Sequence, residues 1–185
     1  MSLLLRDRQD IRTHIRHLRR ELSHEQQQLA AVQVADHALN FAPVQQAKNI
    51  ALFLSVDGEI NTRPLIAKLW QRKQRVYLPV LHPFSRGQLL FLRYDEHTEL
   101  RNNRLRIPEP PLDIRHLLPL SELDVLMVPL VAFDAGGQRL GMGAGFMTER
   151  CRTGSSTAFC RWVWRMTVSR WNAYPSRSGM SHYRR

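Results

Sequence analysis

The sequence predicts an α/β sandwich built on a mainly parallel sheet. Segments of helical period alternate with segments of strand length along the chain. The most apolar segment, residues 124–133 (DVLMVPLVAF), lacks polar alternation and so reads as a strand buried on both faces, as parallel strands are. At 185 residues, one domain is the default and a sizeable core is possible.

From residue 8 to 39 the pattern is helical. Ile11, Ile15, Leu18 and Leu22 recur at three- and four-residue spacing, with arginines expected on the other faces. Ser23 followed by Gln26 forms a capping-box pattern, which predicts two helices joined near Leu22. Ile50-Ala-Leu-Phe-Leu-Ser55 is the first strand, and Asp57-Gly58 the turn after it. A helix spans about residues 62–72, with Pro64 tolerated in its first turn. Residues 75–80 and 88–94 give two further strands, and the proline-rich stretch 102–119 is irregular.

Composition excludes several classes. No run of eighteen apolar residues exists, which rules against a membrane-spanning helix, and the N-terminus lacks the features of a secretory signal. Two cysteines, Cys151 and Cys160, make neither a disulfide framework nor a four-ligand metal site, and the eight histidines show no metal-ligand spacing. A soluble cytoplasmic protein is expected. The net charge of +11 would suggest a polyanion partner, but it is unevenly spread. Residues 147–185 hold eight arginines, no lysine and a single acid, Glu149, together with Trp162, Trp164, Trp171 and both cysteines. That compositional break marks a boundary.

The apolar strand runs into Asp134-Ala-Gly-Gly-Gln-Arg-Leu-Gly-Met-Gly-Ala-Gly-Phe146. Alternate glycines at 141, 143 and 145 let backbone amides approach a ligand, and a glycine loop between strand and helix suits an anion. Arg139 adds positive charge. Neither Rossmann nor P-loop spacing is matched, so the residues alone leave a phosphate loop and a flexible turn both open. Arg8 and Arg12 share a helix face, as phosphate ligands or as solvated side chains. Glu59 is a turn acid or a ligand contact, and Leu54 a core residue or a pocket wall.

The segment Arg139-Leu-Gly-Met-Gly-Ala-Gly-Phe146, following Leu130-Val-Ala-Phe-Asp134, resembles the nucleotide-binding loop of the 5-formyltetrahydrofolate cyclo-ligases (methenyltetrahydrofolate synthetases). Arg8-Gln-Asp-Ile-Arg12, with Arg16, Arg19 and Arg20 after it, resembles the segment whose basic residues hold ATP phosphates in that family. Phe53-Leu-Ser-Val-Asp-Gly-Glu-Ile60 resembles its folate-binding stretch, and Val76-Tyr-Leu-Pro-Val80 and Ile107-Pro-Glu-Pro110 also fit. The match runs in order over residues 8–146. It implies a three-layer α/β/α sandwich and a monomer. It implies ATP binding by Arg8, Gln9, Asp10, Ile11, Arg12, Arg139, Leu140, Gly141, Met142, Gly143, Ala144, Gly145 and Phe146, and substrate binding by Leu54 and Glu59. ATP is the implied co-substrate, Mg2+ its companion, and 5-formyltetrahydrofolate, with or without a polyglutamate tail, the partner. The implied chemistry phosphorylates the formyl oxygen, after which N10 attacks and phosphate departs. Charge neutralisation by arginines, backbone amides and magnesium would serve that transfer.

The pattern breaks after Phe146, where the family continues with tyrosine and a magnesium-binding aspartate, and this chain has Met147-Thr148. Methionine is ATG and threonine begins AC, so the frame one nucleotide earlier must read GAC, aspartate. Met166-Thr167 forces a second aspartate in that frame, matching the family's second acidic ligand, and residues 178–185 permit an ending like the family's. Residues 1–146 are therefore expected to form an incomplete cyclo-ligase-like domain. Residues 147–185 are expected to be an out-of-frame basic tail with no domain of its own, no metal ligand and no catalytic tyrosine or aspartate. On this reading the 124–133 strand loses its partners and activity suffers. The rivals are a nucleic-acid-binding protein using the arginine-aromatic tail, and a catalytically dead folate or nucleotide binder.

Overall fold

The computed structural model describes residues 8–85, 88–133, 139–141 and 160–162. Helix α1 (Arg8–Arg20) and helix α2 (His24–Leu39) meet where the capping box places them: Gln26 N donates to Ser23 Oγ at 3.2 Å, and Ser23 N to Gln26 Oε1 at 2.9 Å. A short α3 (Ala42–Gln46) leads into β1 (Asn49–Ala51), then α4 (Arg63–Gln71), β2 (Arg75–Leu81) and β3 (Leu89–Tyr94). Small elements follow: β4 (Arg101–Asn102) pairs with β5 (Pro108–Glu109), and β6 (Leu117–Leu118) lies at a sheet edge. The chain then forms β7 (Val125–Met127), β8 (Ala132–Phe133), β9 (Arg139–Leu140) and β10 (Cys160–Trp162).

Six strands form one sheet in the order β10-β7-β1-β2-β3-β6. The β10–β7, β7–β1 and β1–β2 pairings are parallel, while β2–β3 and β3–β6 are antiparallel. The sheet is thus mixed and mostly parallel, as expected of an α/β fold. The central strands bury both faces. Ile50, Val76, Leu78, Val125 and Met127 point toward the helices, where they meet Ala35 and Ala38 of α2, Val44 of α3 and Leu65, Ile66 and Leu69 of α4. Ala51, Tyr77, Phe91 and Leu126 form a second cluster on the opposite face, with Leu118, Leu123 and Val128. The two-residue period of a strand makes this division automatic.

At the amino edge of the parallel strands, Asp124 pins β7 to β1: its Oδ2 accepts from Lys48 N and Asn49 N, each at 2.8 Å. The carboxyl edge is where β1 runs into residues 52–60 and β7 into residues 128–131. Ligands bind at that edge in open α/β sheets.

Four expectations change. The predicted strand 124–133 is two pieces, β7 and β8, because Pro129 has no N–H to give a ladder. Val131 N donates instead to Leu140 O at 2.8 Å, opening the β8–β9 hairpin, so the glycine loop follows a hairpin and not the buried strand directly. Nor is β7 without partners, since β1 and β10 flank it on its two sides. Arginines were expected only off the apolar face of α1, yet Arg19, one turn beyond Ile15, is buried with it. The first strand is also shorter than expected, although Leu52 N still donates to Tyr77 O at 3.1 Å.

The capping box carries a measurable share of stability. Ser23→Ala should cost about 1 kcal/mol, and Ser23→Asp much less, read as a shift in urea midpoint at constant slope.

Candidate functional site

Residues 53–62 leave β1 and double back. Thr62 Oγ1 donates to Phe53 O at 2.7 Å and closes the excursion at its base. At its tip Asp57 and Gly58 both have positive φ, 50° and 73°, and Glu59 N donates to Val56 O at 3.0 Å. Two successive left-handed residues are the signature of a type I′ turn, which favours an Asp-Gly pair. Helix α1 lies on this turn. Arg16 Nε sits 2.9 Å from Asp57 Oδ2, too far off axis for a hydrogen bond but close enough for an ion pair. Arg20 Nη2 donates to Asp57 Oδ1 at 2.9 Å. A Cβ at Gly58 would stand 3.3 Å from Arg19 Cβ, so glycine is needed both for its φ and for the close approach.

Arg19 is fully buried. Its Nη2 donates to the carbonyls of Leu130 at 2.8 Å and Val131 at 3.1 Å, joining α1 to the chain leaving β7. Its Nε and Nη1 have no hydrogen-bond partner among the described residues. Glu59 is buried in the same place, 9 % exposed. Its Oε2 accepts from Val56 N at 3.2 Å, and its Oε1 has no hydrogen-bond partner among the described residues. Burial pushes the Glu59 carboxyl up to about 7, against the opposing pull of the Val56 N–H and the Arg19 charge. Burial likewise lowers Arg19 from the usual arginine value, opposed chiefly by Glu59.

Two turns earlier on the same helix, Arg12 Nε donates to Gly141 O at 2.9 Å, across 129 residues of sequence. Arg12 Nη1 reaches Gln9 Oε1 at 3.4 Å. The first turn of α1, with Gln9 and Asp10 exposed and Ile11 half-buried, therefore stands beside the start of the glycine loop. Among the described residues, nothing lies within 4 Å of where a Cβ at Gly141 would point. Leu140 is half-buried on β9. Arg8 and Arg139 are placed by backbone only, in α1 and β9; Met142, Gly143, Ala144, Gly145 and Phe146 lie outside the described residues. Leu54 belongs to the core cluster with Leu65 and Ile66, at the root of the Glu59 turn.

The structure thus brings Arg12, Gly141, Arg19 and Glu59 under one helix at the carboxyl edge of β1 and β7. Asp57 was not singled out as functional from sequence, and Arg19 was expected only among the basic residues of the phosphate-holding segment, not buried beside Glu59. Arg19 was legible in principle, as an arginine four residues beyond Ile15 on an apolar stripe with acids available nearby. Arg16 and Arg20, expected with the phosphate-holding segment, spend their charge on Asp57. No group of three or more His, Cys, Asp or Glu that could hold a metal exists among the described residues. A surface depression lined by Tyr77, Arg93, Asp95, Arg115 and His116 contains none of the predicted site residues.

Comparison with known proteins places the chain among relatives. The model of the 5-formyltetrahydrofolate cyclo-ligase family matches residues 5–161. The chain is 59% identical over 132 residues to the 5-formyltetrahydrofolate cyclo-ligase of Escherichia coli (strain K12), covering 71% of this chain and 72% of the relative. It is 51% identical over 152 residues to that of Haemophilus influenzae, covering 82% and 81%. The solution structure of Aquifex aeolicus 5,10-methenyltetrahydrofolate synthetase superposes with a TM-score of 0.74 at 20% identity, covering 95% of this chain and 86% of the other, which establishes the fold.

The buried carboxyl should be visible in stability. Glu59 has a folded pKa above its unfolded one, so the stability it contributes is full below about pH 4.5 and is lost as pH rises through about 7. Glu59→Gln, which mimics the protonated form, should melt higher than the unsubstituted chain at pH 8 by up to an amount on the order of 3 kcal/mol. At pH 4.5 the two should melt alike. Equal melting at both pH values would place Glu59 in water.

Proposed function

The chain belongs to the 5-formyltetrahydrofolate cyclo-ligase family, and we propose that it closes the N5-formyl group of 5-formyltetrahydrofolate onto N10 with ATP, giving 5,10-methenyltetrahydrofolate, ADP and phosphate. One observation carries the reading: the Glu59 turn and the start of the glycine loop meet under α1, at the edge of the sheet where α/β folds bind ligands.

The formyl oxygen is a poor leaving group. Transfer of the γ-phosphoryl to that oxygen releases ADP and makes the oxygen part of a phosphate. The N10 lone pair then attacks the formyl carbon, phosphate leaves with the oxygen, and N10 loses its proton to water. Little covalent work falls to the protein, and positioning with charge neutralisation does most of it. Glu59 holds the folate. Arg12, Arg139 and the amides of residues 140–146 hold the nucleotide, with residues 8–11 alongside. Leu54 backs the folate turn from the core. Magnesium would be held chiefly by the nucleotide's phosphates and would add to this charge neutralisation.

The same proposal takes residues 147–185 as the gene's continuation in a shifted frame. The two forced aspartates at Met147-Thr148 and Met166-Thr167 support it, as does the switch to arginine without lysine. The rival reading as a nucleic-acid binder draws on the tail's arginines interleaved with aromatics, a composition the shifted frame also accounts for.

Following the methenyl product by its absorbance tests both parts. The frame-restored chain should turn over with ATP, and the chain as written should be much slower and melt earlier. Absence of an ATP-dependent signal from the restored chain at any magnesium concentration would overturn the assignment; equal rates and melting for the two chains would overturn the frameshift. In the restored chain Arg139→Ala should raise the KM for ATP by about one to two decades, the worth of a charge-assisted contact, and the KM for folate far less.

A further inference from the structure

We propose that Arg19 is a positioning residue for the folate side of the site: its charge, buried beside the turn and anchored on the chain leaving β7, keeps the Glu59 side chain an anionic acceptor for the substrate. This rests on the reading of Glu59 as a folate contact.

A guanidinium with no exposure normally has a full set of acceptors or a bonded counter-charge. Arg19 has neither among the described residues. Only Nη2 is bonded, to two neutral carbonyls, and Nε and Nη1 are unmatched. Two anions act on it, Glu59 and Asp57, and Asp57 already engages Arg16 and Arg20. Glu59 is therefore the counter-charge left to Arg19, and it too keeps an unmatched oxygen, Oε1, so the two groups do not bond each other. A purely structural pair would have closed. The amide-like N3–H and the 2-amino group of a pterin ring are both donors and suit a carboxylate; a protonated Glu59 would face them with a proton of its own.

The groups acting on Glu59 can be set out by element. Helix α1 supplies Arg19 and Arg16, both favouring the anion, and the turn supplies Asp57, which opposes it. Helix α2 brings Ala31 against Phe53 and Ile60, an apolar contact. Arg20 acts on Asp57. Arg19 is the strongest charge favouring the anion, and the Glu59 midpoint near 7 already lies close to neutrality. Removing the Arg19 charge moves Glu59 into its protonated form at working pH.

The experiment uses the full chain with glutamate δ-carbons labelled, Glu59 being identified by the resonance lost in Glu59→Gln. The unsubstituted chain and Arg19→Lys should titrate near 7, and Arg19→Gln about one unit or more higher. Calorimetric affinity for 5-formyltetrahydrofolate at pH 7.5 should fall about threefold or more in Arg19→Gln and be largely rescued in Arg19→Lys. Affinity for ATP should barely move. An unmoved Glu59 midpoint overturns the proposal, and so does a moved midpoint with unchanged folate affinity. A second measurement needs no Arg19 variant: folate affinity of the unsubstituted chain should rise several-fold from pH 6 to pH 8 and lose that dependence in Glu59→Gln. A flat profile overturns the proposal even if both Arg19 variants fail to fold. No folate binding at any pH defeats the functional reading and this inference together, whereas folate binding indifferent to pH and to Arg19 defeats this inference alone.

Discussion

A guanidinium taken out of water must find acceptors, and Arg19 finds them in the carbonyls of Leu130 and Val131. Those carbonyls belong to chain leaving a parallel strand, where the ladder has ended at Pro129 and backbone oxygens become available. Because α1 carries Arg19, the helix is drawn across the carboxyl edge of the sheet. Arg12, two turns earlier, then reaches Gly141, and Arg16 and Arg20 reach Asp57. One buried charge thereby helps to set the separation between the Asp57-Gly58 turn and the start of the glycine loop at Gly141. The conformation of Gly58 completes the constraint, since any side chain there would both strain the turn and push against Arg19.

The electrostatic design works against stability. Burying Glu59 raises its proton affinity, against the Val56 N–H and then the Arg19 charge, and burying Arg19 lowers that of the guanidinium, against Glu59 first. A core built for stability alone would put apolar side chains in both positions. The nearby cluster of Ala31, Phe53 and Ile60 shows that apolar packing is available in that region. Unmatched polar atoms beside it are what a ligand-binding cavity requires, because a substrate can satisfy them and water competes poorly in a buried position.

The sheet supplies the rigid frame. Its central strands bury alternate residues on opposite faces, and Asp124 locks the amino ends of β1 and β7 together, so their carboxyl ends emerge side by side. The site-bearing loops are drawn from these two adjacent strands, which are far apart in sequence. On the far flank of β7, β10 pairs in parallel with it, so a segment of the basic tail completes a ladder through backbone bonds, which any non-proline sequence can make.

Much of this was legible in the sequence. The Ser23 and Gln26 capping box, the apolar period of α1, Pro64 in the first turn of α4 and the Asp57-Gly58 turn are local devices, governed by residues within a few positions of one another, and each formed as read. The glycine loop and the Glu59 stretch were likewise visible as motifs, because special backbone geometry needs special residues. What local patterning could not reveal was the assignment of the arginines. Arg12, Arg16, Arg19 and Arg20 are identical in type and regular in spacing, yet one bonds a carbonyl of the glycine loop, two hold Asp57 and one is buried. Their tasks depend on which chain lies beside α1, a matter of contacts from 37 to 129 residues distant in sequence. The sequence determined by itself the elements and the chemical groups on offer, since both are local. Only the tertiary structure decided which charge would be buried, because the acceptors it needed are carbonyls that become available only where β7 ends.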